Sequence, residues 1–145
     1  MPSSAFSHTV TVAASAGSAW RRMQQPEVWV GIGPIERVSE ADVDDRGTLR
    51  GFRWDAVAAG RHWSGSARTT EASPGEAMRL SLRSAELSVE LGAILTPEGT
   101  HCRLAVELTA RPAGMMARLF WGLIEATIRD ALAEQTAEFG RRLAE

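Results

Sequence analysis

Between Ile35 and Ala110 the chain is cut at short intervals by turn-forming clusters: Asp45-Arg46-Gly47, Ala59-Gly60, Ser73-Pro74-Gly75 and Pro97-Glu98-Gly99. The segments between them are IERVSEAD, TLRGFRWDAVA, HWSGSARTTEA, AMRLSLRS, ELSVELGAIL and CRLAVELTA. Each is short and strand-like, and gaps this tight favour antiparallel hairpins. Residues 5–13, AFSHTVTVA, add a strand at the start, with Phe6, His8, Val10 and Val12 on one face. An antiparallel sheet of this kind must bury one of its faces. Only one segment is long enough to cover it. After Pro112 and Gly114 comes MMARLFWGLIEATIRDALAEQTAEFGRRLAE, free of proline and rich in Ala, Leu, Glu and Arg. Read as one helix of about 30 residues it would be roughly 45 Å long. Its apolar stripe would run through Met116, Phe120, Leu123, Ile124, Thr127, Ile128, Ala131, Gln135 and Phe139. Arg118, Glu125 and Arg129 would lie opposite, the last two spaced for an i,i+4 ion pair.

Two shorter helical pieces are expected after the first strand. Ser15 is placed to cap a helix carrying Ala19, Trp20 and Met23. Pro26 opens a second turn with Val28 and Trp29, closed by Gly31, Gly33 and Pro34. The order is strand, two short helices, about six strands and one long helix. The expected class is α+β, a curved antiparallel sheet wrapped around a long C-terminal helix. A chain of 145 residues, 44% of them hydrophobic, suits one domain spanning 1–145.

Several function classes are disfavoured. The formal net charge is -2 with no long Lys/Arg run, which gives no footprint for nucleic acid. Cys102 is the one cysteine, so no internal disulfide forms and nothing resembles a zinc site. No metal and no cofactor are expected. The start, MPSSAFSHTV, lacks the pattern of a signal peptide, and no apolar run approaches the roughly 18 residues of a membrane span. A soluble, cytoplasmic protein without stable membrane insertion is the expectation.

At the level of motifs the chain resembles the START / Bet v 1-like superfamily, also called SRPBCC, helix-grip or polyketide cyclase-like. The opening strand followed by AASAGSAW is similar to that family's strand-to-helix start, with Trp20 at the usual aromatic position. QPEVW resembles its DPxxW turn, with Gln25 in place of the acid, and Gly31-Ile32-Gly33 stands where a later tryptophan is usual. SARTTEASPGEAMRL resembles its strand, turn-proline, strand unit, and PEGTHCRLAVEL its final hairpin. The likeness covers nearly the whole chain. It implies a deep, mostly apolar cavity between sheet and helix. Members carry lipids, sterols, hormones or polyketides; some are cyclases or dehydratases, and some bind protein partners.

The crowded stretch FRWDAVAAGRHW is sorted by strand alternation. Arg50, Phe52, Trp54 and Ala56 share one face, and Trp63, Gly65, Ala67 and Thr69 share another. Turning these inward sends Arg53, Asp55, His62 and Arg68 to solvent, where opposite charges on neighbouring strands can pair. A catalytic reading of Asp55 and His62 needs a register flip or a bulge. Trp54 and Trp63 flank the small Gly65 and Ala67. That arrangement either interdigitates in a closed core or leaves room for a ligand. With Leu80, Leu82, Phe120 and Ile124, these residues form the expected apolar wall. The polar residues with inward parity are His8, Arg50, Thr69, Thr127 and Gln135. Each also has a plainer reading: a solvated strand end for His8, a snorkelling side chain for Arg50, a satisfied core amide for Gln135. Cys102 reads as a small core residue.

Three functions follow as readings. The first is a carrier for a small hydrophobic or amphipathic ligand, lipids included. The second is a polyketide cyclase/dehydratase-like enzyme, which needs a positioned acid or base. The chain has no Tyr, and of its three histidines His62 points outward by parity and His101 lies in a turn. His8 and Arg50 are then the remaining candidates, and whether any reaction is catalysed stays open. The third is a partner-binding module. The long segment is apolar around its circumference near Met115, Leu119 and Trp121, which reads as covered by loops, as a pocket lid or as a homodimer contact.

Overall fold

The computed structural model describes residues 3–58 and 60–145. Seven strands form one antiparallel sheet. They are β1 (Ser4–Val12), β2 (Arg37–Val43), β3 (Leu49–Ala58), β4 (Arg61–Ser73), β5 (Ala77–Ser84), β6 (Leu87–Glu98) and β7 (His101–Pro112). Their order across the sheet is β1-β7-β6-β5-β4-β3-β2. From β2 to β7 every strand therefore pairs with its successor, as the turn clusters predict. β1 returns to close on β7. The turn expected at Ala59-Gly60 includes Ala59, which lies outside the described residues.

Helix α1 (Ala16–Met23) follows β1, and the Ser15 side chain caps it by accepting from the Ser18 N–H at 3.1 Å. A 3₁₀ turn, Pro26–Trp29, comes next. Trp29 is fully buried there, donates its indole N–H to the Met23 carbonyl at 3.0 Å, and meets Phe139 with ring centroids 4.9 Å apart. No helix among the described residues is long and apolar enough to cross a membrane.

The C-terminal segment departs from the expectation of one continuous helix. It forms α2 (Met115–Leu119) and α3 (Trp121–Leu143), broken at Phe120, whose φ of -106° and ψ of 19° are not helical. Two anchors pull in different directions. The Ala113 and Gly114 N–H groups donate to the Glu86 carbonyl, and a Glu86 carboxylate oxygen accepts from the Ala117 N–H at 2.8 Å. These bonds tie α2 to the turn between β5 and β6. Helix α3 instead lies nearest β1, with α1 and the 3₁₀ turn beside it. Gly122, a poor helix former, sits just after the break. The break also changes which face is covered. Ile124, Ile128, Leu132, Thr136, Phe139, Gly140 and Leu143 are buried, whereas Phe120 is 44% exposed. The expected Glu125–Arg129 pair is present at 3.6 Å.

A second departure lies in β3. Val43 pairs with Leu49 and Asp42 with Gly51, so Arg50 is an extra residue on one side of the ladder. That is a β-bulge, and it reverses the alternation behind it. Leu49 turns inward and is fully buried, while Arg50 is exposed. From Gly51 onward the alternation holds. Phe52, Trp54 and Ala56 are buried, with Trp63, Gly65, Ala67 and Thr69 beside them on β4.

Candidate functional site

The core is not uniformly filled. Beneath the C-terminal half of α3 it is solid, with Met23, Trp29, Met78, Leu104, Phe139 and Leu143 all fully buried. Under the N-terminal half lies a cavity of about 420 Å³. Its roof is α3, presenting Leu123, Ile124, Thr127, Ile128, Ala131 and Gln135. Its floor is Ala56 of β3 with its register partner Trp63 of β4, and Leu87 at the start of β6 closes one end. The opposite side is the backbone-rich segment Gly31, Gly33, Pro34, Ile35 and Glu36. Val57 and Leu123 also belong to the wall; at 57% and 58% exposed they mark its mouth.

The size decides what this space is. Voids inside packed proteins rarely exceed a water molecule, about 30 Å³. This space opens between the exposed Val57 and Leu123, so it is a solvent-accessible cleft rather than a dry void. The space is therefore solvent-filled or ligand-filled. It falls within the roughly 300–1,000 Å³ of small-molecule sites.

Local sequence explains each wall. On α3, Leu123, Thr127, Ala131 and Gln135 form one i+4 row, and Ile124, Ile128 and Leu132 form the next. Both rows line the cavity, with Leu123 and Thr127 at its exposed rim and Ile124 and Ile128 buried; Leu132 and Thr136 continue the second row into the solid core. Gly31 and Gly33 have φ of 92° and 57°, left-handed values that favour glycine. They fold the segment back on itself, with the Gly31 N–H donating to the Ile35 carbonyl at 2.6 Å. Gln135 holds this loop against the helix, its Oε1 accepting from the Gly33 N–H at 3.1 Å. Glu36 joins it to β3 by accepting from the Val57 N–H at 2.9 Å.

Polar groups in the wall are few. Thr127 spends its hydroxyl on the Leu123 carbonyl at 2.9 Å. Among the described residues Glu36 is the only ionisable side chain in the lining. With Arg22 Nε, Trp63 is one of two exceptions among the described residues to the rule that buried donors are paired. The residue is 9% exposed, and its Nε1 is buried without an acceptor among the described residues. Such a group costs about 1–3 kcal/mol while it stays unpaired. Trp63 also borders a second, shallower notch lined by Arg61, His62, Ser64, Ser84, Glu86 and Met116.

Of the residues expected at the site, Trp63, Ile124, Thr127 and Gln135 come together in this wall. The others stand elsewhere. Phe52, Ala67, Leu80 and Leu82 are buried in the packed sheet face. Trp54 is 1% exposed, and its indole N–H donates to the Ser66 carbonyl at 3.1 Å. Its ring lies against Gly65, so the small residue beside it is filled by the indole rather than left open. The Thr69 hydroxyl donates to the Leu49 carbonyl at 2.7 Å and serves the bulge. Arg50 is carried outward by that bulge, and Phe120 by the helix break. His8 is half-buried on β1 opposite Val106, outside the lining. Asp55 and His62 do lie on the outer face, 3.6 Å apart. Cys102 is buried, and burial, followed by the charge of Glu98, pushes its thiol pKa up. Met115, Leu119, Phe120 and Leu123 form an exposed apolar patch that runs to the cavity mouth.

The segment 31–36 was not expected in the wall, because its glycines and proline read as a helix stop. The signal was present in Gly31-Ile32-Gly33, whose two glycines take the left-handed φ that folds this loop against α3.

No family model matches the sequence. No curated protein matches it by sequence either. Solved structures do match. A protein from Thermus thermophilus superposes with a TM-score of 0.73 at 15% identity, over 97% of both chains. The Zhui aromatase/cyclase from Streptomyces sp. R1128 gives 0.70 at 16% identity, covering 96% of this chain and 93% of its own. A START superfamily protein from Mycobacterium smegmatis gives 0.63 at 18% identity, covering 92% of this chain and 97% of its own. Likeness at such identities is a likeness of fold.

Proposed function

From the START / Bet v 1-like helix-grip fold that the chain adopts, we propose that residues 1–145 act as one domain that binds a small apolar molecule between α3 and the β3–β4 end of the sheet. The observation that carries this reading is the 420 Å³ cavity itself, with an apolar wall. An apolar ligand entering this space would displace water from the apolar wall. Ile35, Ala56, Leu87, Ile124 and Ile128 supply apolar contact, and the mouth beside Val57 and Leu123 supplies entry.

The enzymatic alternative, a cyclase/dehydratase-like activity, draws on the likeness to an aromatase/cyclase. It needs an acid or base at the ligand. His8 and Arg50 are outside the cavity, which leaves Glu36 for that role. A carboxylate at an exposed position, already accepting a backbone hydrogen bond, supports binding better than proton transfer.

The test is a titration with N-phenyl-1-naphthylamine, a neutral apolar fluorophore. The wild-type protein is expected to bind it with a Kd on the order of 1 μM, about 8 kcal/mol. Ala131→Phe fills the cavity from the roof, and should weaken binding at least about tenfold while leaving the melting temperature within about 3 °C. Absence of probe binding to the folded wild type, or equal affinity in Ala131→Phe, would remove this reading.

A further inference from the structure

We propose that the apolar patch around α2 is a docking surface for an anionic lipid bilayer, on which the protein lies with its cavity mouth turned toward the acyl chains. Six large apolar side chains are exposed among the described residues, and four of them, Met115, Leu119, Phe120 and Leu123, lie within 115–123. Met115 and Leu119 are 73% and 70% exposed, so they project from the surface rather than line a groove. They stand four apart on one side of α2, opposite the fully buried Ala117. Glu86 holds them there, its carbonyl accepting from the Gly114 N–H and its carboxylate from the Ala117 N–H. A protein partner needs a groove to receive such a ridge. A bilayer receives it directly, the side chains entering at the boundary of headgroups and acyl chains. Leu123 continues the ridge to the cavity mouth, where Val57 is also exposed. An apolar molecule leaving the bilayer there reaches the cavity without crossing water. That step rests on the binding reading above; the docking itself does not.

Charge selects the lipid. Elsewhere on the surface arginines are paired: Arg83, Arg103 and Arg129 each have a carboxylate within 3.6 Å. Arg61, Arg111 and Arg118 are exposed and have no carboxylate partner among the described residues. All three belong to the end of the molecule that carries the patch. Arg118 is in α2 itself, Arg61 lines the same notch as Met116, and Arg111 is four residues before Met115 at the end of β7. The nearby acids are committed. Glu86 accepts from Ala117, Asp55 lies 3.6 Å from His62, and Glu125 lies 3.6 Å from Arg129. An apolar ridge with unpaired cations beside it complements a bilayer that carries negative headgroups. It does not complement a second copy. A two-fold dimer closed on this patch would set Arg118 and Arg61 against their own copies with no acid to offset them.

The experiment is vesicle flotation of the full chain, with vesicles of phosphatidylcholine alone or with about 30% phosphatidylserine. At low salt the wild type should partition at least about tenfold more strongly onto the phosphatidylserine vesicles, and added salt should erase the difference. Leu119→Glu should weaken that partition at least about tenfold, and Arg118→Gln about fivefold, the scale of one cation near an anionic surface. Val43→Glu makes the same kind of change at an exposed apolar residue on β2 and should leave partition within about twofold. In the absence of vesicles, Leu119→Glu should keep its affinity for N-phenyl-1-naphthylamine within about twofold, because Leu119 is outside the cavity wall. A wild type that floats with neither vesicle, or with both equally, would overturn the proposal and leave the cavity reading standing. Binding that survives Leu119→Glu, or falls equally in Val43→Glu, would overturn it as well. Concentration-dependent dimerisation that Leu119→Glu abolishes, without vesicle binding, would assign the patch to a second copy instead.

Discussion

Gly65→Ala is expected to lower the melting temperature by about 10 °C, from a loss of about 3 kcal/mol. Gly65 sits on β4 between the Trp54 ring and the β5 backbone. A Cβ there would stand 2.1 Å from the Arg83 carbonyl oxygen and 2.8 Å from the Trp54 ring. The first neighbour is backbone and cannot move without shifting β5 in the ladder. The cost therefore belongs to the upper end of overpacking, where side-chain rotation gives no relief. Gly122 supplies the contrast. Nothing lies within 4 Å of a Cβ added there, and it stands in the first turn of α3. Gly122→Ala should be neutral or stabilising by up to about 1 kcal/mol, through the lower backbone entropy of the unfolded chain. Thermal melts of the two variants read the difference directly. Equal melting temperatures would mean that β4 and β5 are not packed as described.

Trp54→Ala should cost about 3–5 kcal/mol, the range for truncating a fully packed aromatic. The ring is 1% exposed, its N–H is paired to Ser66, and it faces Gly65 rather than the cavity. Denaturant unfolding measures the loss. The same variant, where folded, should bind N-phenyl-1-naphthylamine within about threefold of wild type, because the indole is outside the cavity wall. Trp54→Phe, a milder truncation, provides the affinity comparison at full folding. A loss under about 1 kcal/mol together with lost probe binding would put Trp54 in the wall, as alternation alone suggests.

Much of the architecture was legible because antiparallel hairpins announce themselves locally. The turn clusters at Gly47, Gly75 and Gly99 each carry a positive φ, and β1 and β4 obey period-2 alternation over most of their length. What escaped depends on pairings that sequence spacing does not encode. The bulge at Arg50 arises where β3 meets β2 near Asp42 and Val43, so no pattern within β3 reveals it. The break at Phe120 arises from Glu86, more than thirty residues away, which holds the start of α2. The α3 side of the cavity was readable from the 3- and 4-residue spacing of one helix face, and Ile124, Thr127 and Gln135 of that face line the cavity. The sheet side was not. Inward parity selects Phe52, Trp54, Ala67, Leu80 and Leu82 as readily as Trp63, and only packing separates a filled pair such as Trp54 over Gly65 from an empty one.

The central claim is that the empty half of the core, between α3 and the β3–β4 end, is where a ligand sits. Isotope-filtered NOE spectra of N-phenyl-1-naphthylamine bound to methyl-labelled protein locate the probe most directly. The account predicts cross-peaks to the methyls of Leu87, Leu123, Ile124 and Ile128, and none to Leu80 or Leu82. Cross-peaks to Leu80 and Leu82 instead would place the ligand under the centre of the sheet and contradict it.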